Sequence, residues 1–147
     1  MKRFSPFLLI TTLLIISSIA YSRDTRIRVS IQDAITTPDA EAALDAGIQF
    51  FFGDEQHPEI ERHLGTYTSN KKTNAVGKSD QKACKWAFLS AMISFQQRAV
   101  SEGGNAVVNI HSYYKKNDFS SATEFECGAG AVMVGVTMVG EVVKLAE

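Results

Sequence analysis

Apolar positions along this chain repeat with two different periods, and each change of period marks a boundary. Across residues 25–31, Ile27, Val29 and Ile31 alternate with polar neighbours, the spacing of a half-buried strand. Thr37-Pro38-Asp39 then opens a short helix. Thr37 can cap it, Pro38 suits its first position, and Asp39 and Glu41 sit at its positive end. Gly47 closes that helix. Residues 48–52 read as a second strand, stopped by Gly53-Asp54, and residues 55–64 as a polar segment broken by Pro58. Residues 65–69 predict another strand, followed by a polar loop over 70–78.

From Asp80 the period becomes helical and stays so to about Glu102. Ser79 can accept a backbone N–H that the first turn leaves unpaired, and Asp80 adds favourable charge there. Cys84, Ala87, Phe88, Ala91, Met92, Phe95 and Ala99 share one face. Trp86, Leu89, Ile93 and Val100 form a second stripe, so this helix is either sandwiched within its own domain or touches another subunit. Gly103-Gly104 ends it. Residues 105–114 predict a strand with Ala106, Val108 and Ile110 on one face and Val107, Asn109, His111 and Tyr113 on the other. A turn-rich connection follows over 115–121. Residues 123–127 alternate again, Phe125 and Cys127 inward, Glu124 and Glu126 outward. Residues 131–145 are valine-rich and interrupted only by Gly135 and Gly140, as in a buried strand or a strand with a bulge. The expected fold is α+β: one long helix packed on a largely antiparallel sheet, in a single domain spanning 23–147.

Residues 1–22 have the order of a secretory signal peptide. Lys2 and Arg3 precede an apolar run from Phe7 to Ile16, and small residues follow at Ser17, Ser18, Ala20 and Ser22. Cleavage after Ser22 is expected, with Ala20 as the alternative, and a bilayer span would want about 20 apolar residues. No cysteine follows the run to carry a lipid, so the expectation is a periplasmic or secreted protein without a stable membrane anchor. Losing Lys2 and Arg3 leaves 13 basic against 16 acidic residues. A domain of that balance lacks the basic footprint that sequence-independent nucleic-acid binding needs.

The two cysteines, Cys84 and Cys127, are an even count in an exported chain and predict a disulfide. Without CxxC spacing they do not outline a zinc tetrahedron. His57, Glu59, Glu61 and His63 surround Pro58 and form the candidate metal ligands, although the histidines stand six apart and not at the four-residue helical spacing. His111 is the candidate base for a hydrolytic enzyme, but Ser112 points to the opposite side of a strand. Glu124 and Glu126 are paired carboxylates better read as exposed edge charges. Gly103-Gly104-Asn105 lacks the lysine of a phosphate loop and Gly128-Ala129-Gly130 lacks dinucleotide spacing, which disfavours an excinuclease-type ATPase. No cofactor is expected.

Ala83-Cys84, Ala87, Ala91, Ala99, the run from Gly104 to Ile110, Cys127 and the terminal Gly140-Glu141-Val142-Val143-Lys144-Leu145 resemble a known pattern. Over about residues 79–145 the chain is similar to the small YbjQ-type domains, also described as heavy-metal-binding. It is similar too to the periplasmic domain of the Rcs envelope-stress sensor lipoprotein. The resemblance to that disulfide-stapled sensor supports pairing Cys84 with Cys127 and implies a non-enzymatic envelope domain that binds a protein or small ligand, in stress sensing. A metal-binding periplasmic protein and a hydrolase using His111 are the alternatives.

Overall fold

The computed structural model describes residues 22–44 and 47–147, so residues 1–21 of the expected leader lie outside it. In chain order the elements are β1 (Asp24–Ser30), α1 (Ile31–Ile35), α2 (Pro38–Ala43), β2 (Gln49–Phe52), β3 (Ile60–Asn74), α3 (Asp80–Glu102), β4 (Ala106–Ser112), β5 (Glu124–Gly130) and β6 (Met133–Leu145). Strand β6 is the spine of a curled six-stranded sheet. Along one edge β3 runs antiparallel to it, from Ile60 opposite Leu145 to Asn74 opposite Met133. Two strands share its other edge: β5 pairs at Val134 and Gly135, and β4 between Met138 and Val143. β1 extends the sheet antiparallel to β5, and β2 extends it parallel to β4. The fold is thus α+β, with one parallel pair in an otherwise antiparallel sheet.

Helix α3 begins and ends where its capping chemistry dictates. The Ser79 hydroxyl accepts the Lys82 N–H at 3.2 Å, and Gly103 closes the helix in the left-handed conformation at φ 78°. Its small and aromatic face, from Ala83 to Ala99, is buried on the inner side of the sheet against Val107, Ile110, Phe125, Val136, Met138 and Val142. Cys84 and Cys127 stand at disulfide distance, Sγ to Sγ 2.01 Å, and tie α3 to β5. On the other side of the sheet Ala106, Val108, Val143 and Leu145 make a small second core beneath Phe51 and Ile60. Among the described residues no helix is long and apolar enough to cross a membrane.

The second stripe of α3 is divided. α1 packs against the helix, and Leu89, which is buried, lines a hollow together with the start of α2. Ile93 is half-buried, while Trp86 is 40% and Val100 61% exposed. The internal cover therefore reaches only the middle of the stripe.

Three expectations are corrected by pairing that is not local in sequence. The strand expected over 65–69 runs from Ile60 to Asn74 and absorbs parts of both polar segments, because it pairs with β6 from end to end apart from two register shifts. Asn109 adopts φ 50° within a register shift between Val108 and His111. That bulge turns Ile110 to the Val107 side, so Ala106 and Val108 belong to one core and Val107 and Ile110 to the other. Glu126 is buried at 5% exposure, whereas Glu124 is exposed, so the two are not equivalent edge charges.

Candidate functional site

Strand β3 carries polar residues on the face that ought to be apolar. Its pairing register sets Tyr67 opposite Gly140, Ser69 opposite Met138 and Lys71 opposite Val136. Residues directly opposite in an antiparallel ladder share a face, so all three look toward α3 and not toward solvent. Tyr67 and Lys71 are half-buried and Ser69 is buried, while Thr66, Thr68, Asn70 and Lys72 between them are exposed.

The helix answers with a polar stripe of its own. Ser94, Gln97, Arg98 and Ser101 follow the i, i+3, i+4, i+7 rule and therefore lie on one side of α3. Between the two polar rows, with the Phe95 side chain also reaching its wall, runs a groove of about 470 Å³. Its lining holds two cations, Lys71 and Arg98, and no carboxylate.

Local geometry fixes the position of Arg98. Gly65 has φ 137°, and a Cβ there would lie 2.8 Å from the Tyr67 hydroxyl, so the tyrosine ring folds back over a position that only glycine leaves open. Its hydroxyl donates to the Leu64 carbonyl at 3.3 Å. The Arg98 guanidinium stacks on that ring, 4.6 Å from its centroid, and meets Glu102 one helical turn on at 3.6 Å. Lys71 makes no ion pair among the described residues. The Ser69 hydroxyl is buried with no hydrogen-bond partner. Such a group costs free energy unless something supplies the missing bond. In chemical terms the groove offers two positive charges.

The candidate metal residues do not converge. The His57 ring rests against Phe51, centroids 5.5 Å apart, with Nδ1 2.8 Å from the Pro58 carbonyl. His63 faces Glu141 at 3.6 Å, and Glu59 and Glu61 are exposed. Among the described residues no group of three or more His, Cys, Asp or Glu side chains is placed to hold a metal ion.

His111 is clamped between two acceptors, the Asn109 carbonyl at Nδ1 (2.8 Å) and the Asp118 carboxylate at Nε2 (3.2 Å). Ser112 is buried elsewhere; its oxygen accepts the Glu126 N–H at 2.8 Å and its hydroxyl donates to the Met138 sulfur at 3.6 Å. A hydroxyl engaged in that way is not aimed at the imidazole.

On the outer face of β1 and β5, Asp24, Arg26, Arg28 and Glu126 form a charged row flanked by Tyr114, Lys115 and Phe119. Lys115 pairs with Asp24, which holds the Asp24 carboxyl below the ordinary aspartate range and Lys115 above the ordinary lysine range. Burial pushes the Tyr114 hydroxyl up. A hollow of about 650 Å³ beside this row, at the β5–β6 turn, is larger than the groove. Its walls carry both signs of charge, Arg23, Lys72 and Lys115 with Asp24.

The signal for the groove was present in the sequence as two polar periodicities, one of two residues at 67, 69 and 71 and one helical from 94 to 101. Neither is conspicuous to a search for apolar stripes. No protein-family model, curated protein or solved structure matches the chain.

Proposed function

We propose that this protein is an exported, non-enzymatic binding domain that takes an anionic partner in the groove between α3 and β3. One observation carries the reading: the charged residues lining the groove, Lys71 and Arg98, are both cationic, and Lys71 has no ion-pair partner among the described residues. An incoming carboxylate or phosphate supplies countercharge to both cations. Export rests on the leader at residues 1–22 and agrees with a cysteine pair at disulfide distance. The resemblance of residues 79–145 to envelope domains points the same way.

Amide NMR of the purified protein titrated with inorganic phosphate and with citrate tests the site. Saturable shifts confined to residues 67–71 and 94–101, and absent in Lys71→Ala/Arg98→Ala, are expected. Spectra unmoved by either anion overturn the anionic reading. Intact mass tests export: a mature chain beginning at Arg23 is expected, and retention of residues 1–22 overturns it.

A further inference from the structure

We infer that the occupant of this groove is an acidic peptide segment in extended conformation, added as a further strand to the free edge of β3. The inference rests on the anionic groove proposed above and names the form its ligand takes.

β3 is fifteen residues long and pairs only with β6, so its other edge is open among the described residues. Sheet edges of that length invite another strand unless something blunts them. The first half of β3 is blunted, because register shifts fall between Ile60 and Arg62 and again between His63 and Gly65. From Gly65 to Asn74 the register is unbroken. That regular stretch is the one bordering the groove, with Tyr67, Ser69 and Lys71 facing α3. An extended segment laid along it satisfies edge backbone groups and sends alternate side chains toward α3.

Charge decides between a second copy and a foreign segment. Two β3 strands paired over 65–74 would bring four lysines and no carboxylate to one ladder, leaving every lysine without a countercharge. A segment with glutamate or aspartate at alternate positions meets Lys71 and Arg98 instead. The lysines thus discourage self-pairing and select an acidic partner.

Fluorescence anisotropy with a short labelled peptide of alternating glutamate and valine tests this on the purified protein. Two further peptides carry N-methyl groups on every second amide, one in each phase. In strand addition only one phase turns its N–H groups to β3, so that phase is expected to lose binding and the other to keep it. Lys71→Glu is expected to weaken binding about tenfold or more, with the folded state confirmed by circular dichroism, and the lysine–valine counterpart is expected not to bind. Equal binding by both methylated phases, together with loss in Lys71→Glu, overturns strand addition while leaving the anionic groove in place. A peptide that does not bind, with phosphate still shifting the groove amides, has the same meaning. Silence from both peptide and phosphate overturns the strand addition and the groove reading together. Concentration-dependent dimerisation through β3 in sedimentation, abolished by Thr68→Lys, gives the edge to a second copy and overturns the inference.

Discussion

The ring of Tyr114 lies directly over Gly128, so closely that a Cβ at position 128 would come 1.9 Å from the tyrosine hydroxyl. Tyr114 in turn donates to Asp24 at 3.3 Å and stands beside Arg26 and Lys115, so it links the turn after β4 to the outer face of β1 and β5. Gly128→Ala must displace the ring, and overpacking of this kind costs about 1–3 kcal/mol. Urea unfolding is expected to show that loss. Tyr114→Ala in the same background is expected to recover part of it, a coupling that a double-mutant cycle reads directly.

Removing the staple between α3 and β5 loosens the unfolded chain. Cys84 and Cys127 are 43 residues apart, for which the chain-entropy relation gives about 4 kcal/mol. Cys84→Ala/Cys127→Ala is expected to unfold at correspondingly lower denaturant. The stack of Phe88 on Phe125, centroids 4.2 Å apart, bridges the same two elements and is expected to hold the fold at low temperature. Alkylation before reduction is expected to label neither cysteine. Labelling of both without reductant refutes the bond.

Elements set by local chemistry were legible in the sequence. Ser79, Asp80 and Gly103 bound α3 through caps that act within a turn or two, and the stripe from Cys84 to Ala99 named its buried face. What failed depended on partners far along the chain. β3 is half-buried every second residue, yet Tyr67, Ser69 and Lys71 are polar, so its period was invisible to a hydrophobic reading. The bulge at Asn109 follows from pairing with β6, and Glu126 is buried beside Arg26 and Arg28, which β1 contributes. The groove was illegible for the same reason: each polar row is ordinary alone and becomes a site only where the fold opposes them.

The Asp24–Lys115 pair predicts the pH response of the outer face. The carboxyl titrates lower in the folded chain than unfolded, so its contribution is present above the unfolded value and lost as pH falls through the folded one. Lys115 titrates higher when folded, so its contribution is lost as pH rises through its folded value. Both groups are exposed and the stability involved is small. The sensitive readout is the Asp24 carboxyl carbon by NMR. Lys115→Ala is expected to move its midpoint upward, and an unmoved midpoint refutes the pairing.

Glu126 tests what happens when a buried charge loses its partners. Its side chain is 6% exposed, with Arg26 at 3.8 Å from one oxygen and Arg28 at 3.9 Å from the other, and Oε2 has no hydrogen bond. The arginines are 41% and 56% exposed, so they can return to water at little cost, whereas the carboxylate cannot. The penalty is therefore asymmetric. Arg26→Ala/Arg28→Ala strands a buried negative charge and is expected to destabilise by about 3 kcal/mol. Glu126→Gln retains the shape, removes the charge and is expected to cost only about 1 kcal/mol. The decisive measurement is the combination: adding Glu126→Gln to the double arginine variant is expected to restore stability at pH 7, because a neutral amide no longer needs the cations. If the triple variant is no more stable than the double, the arginines serve through packing over Tyr114 and Phe119 and not through their charge.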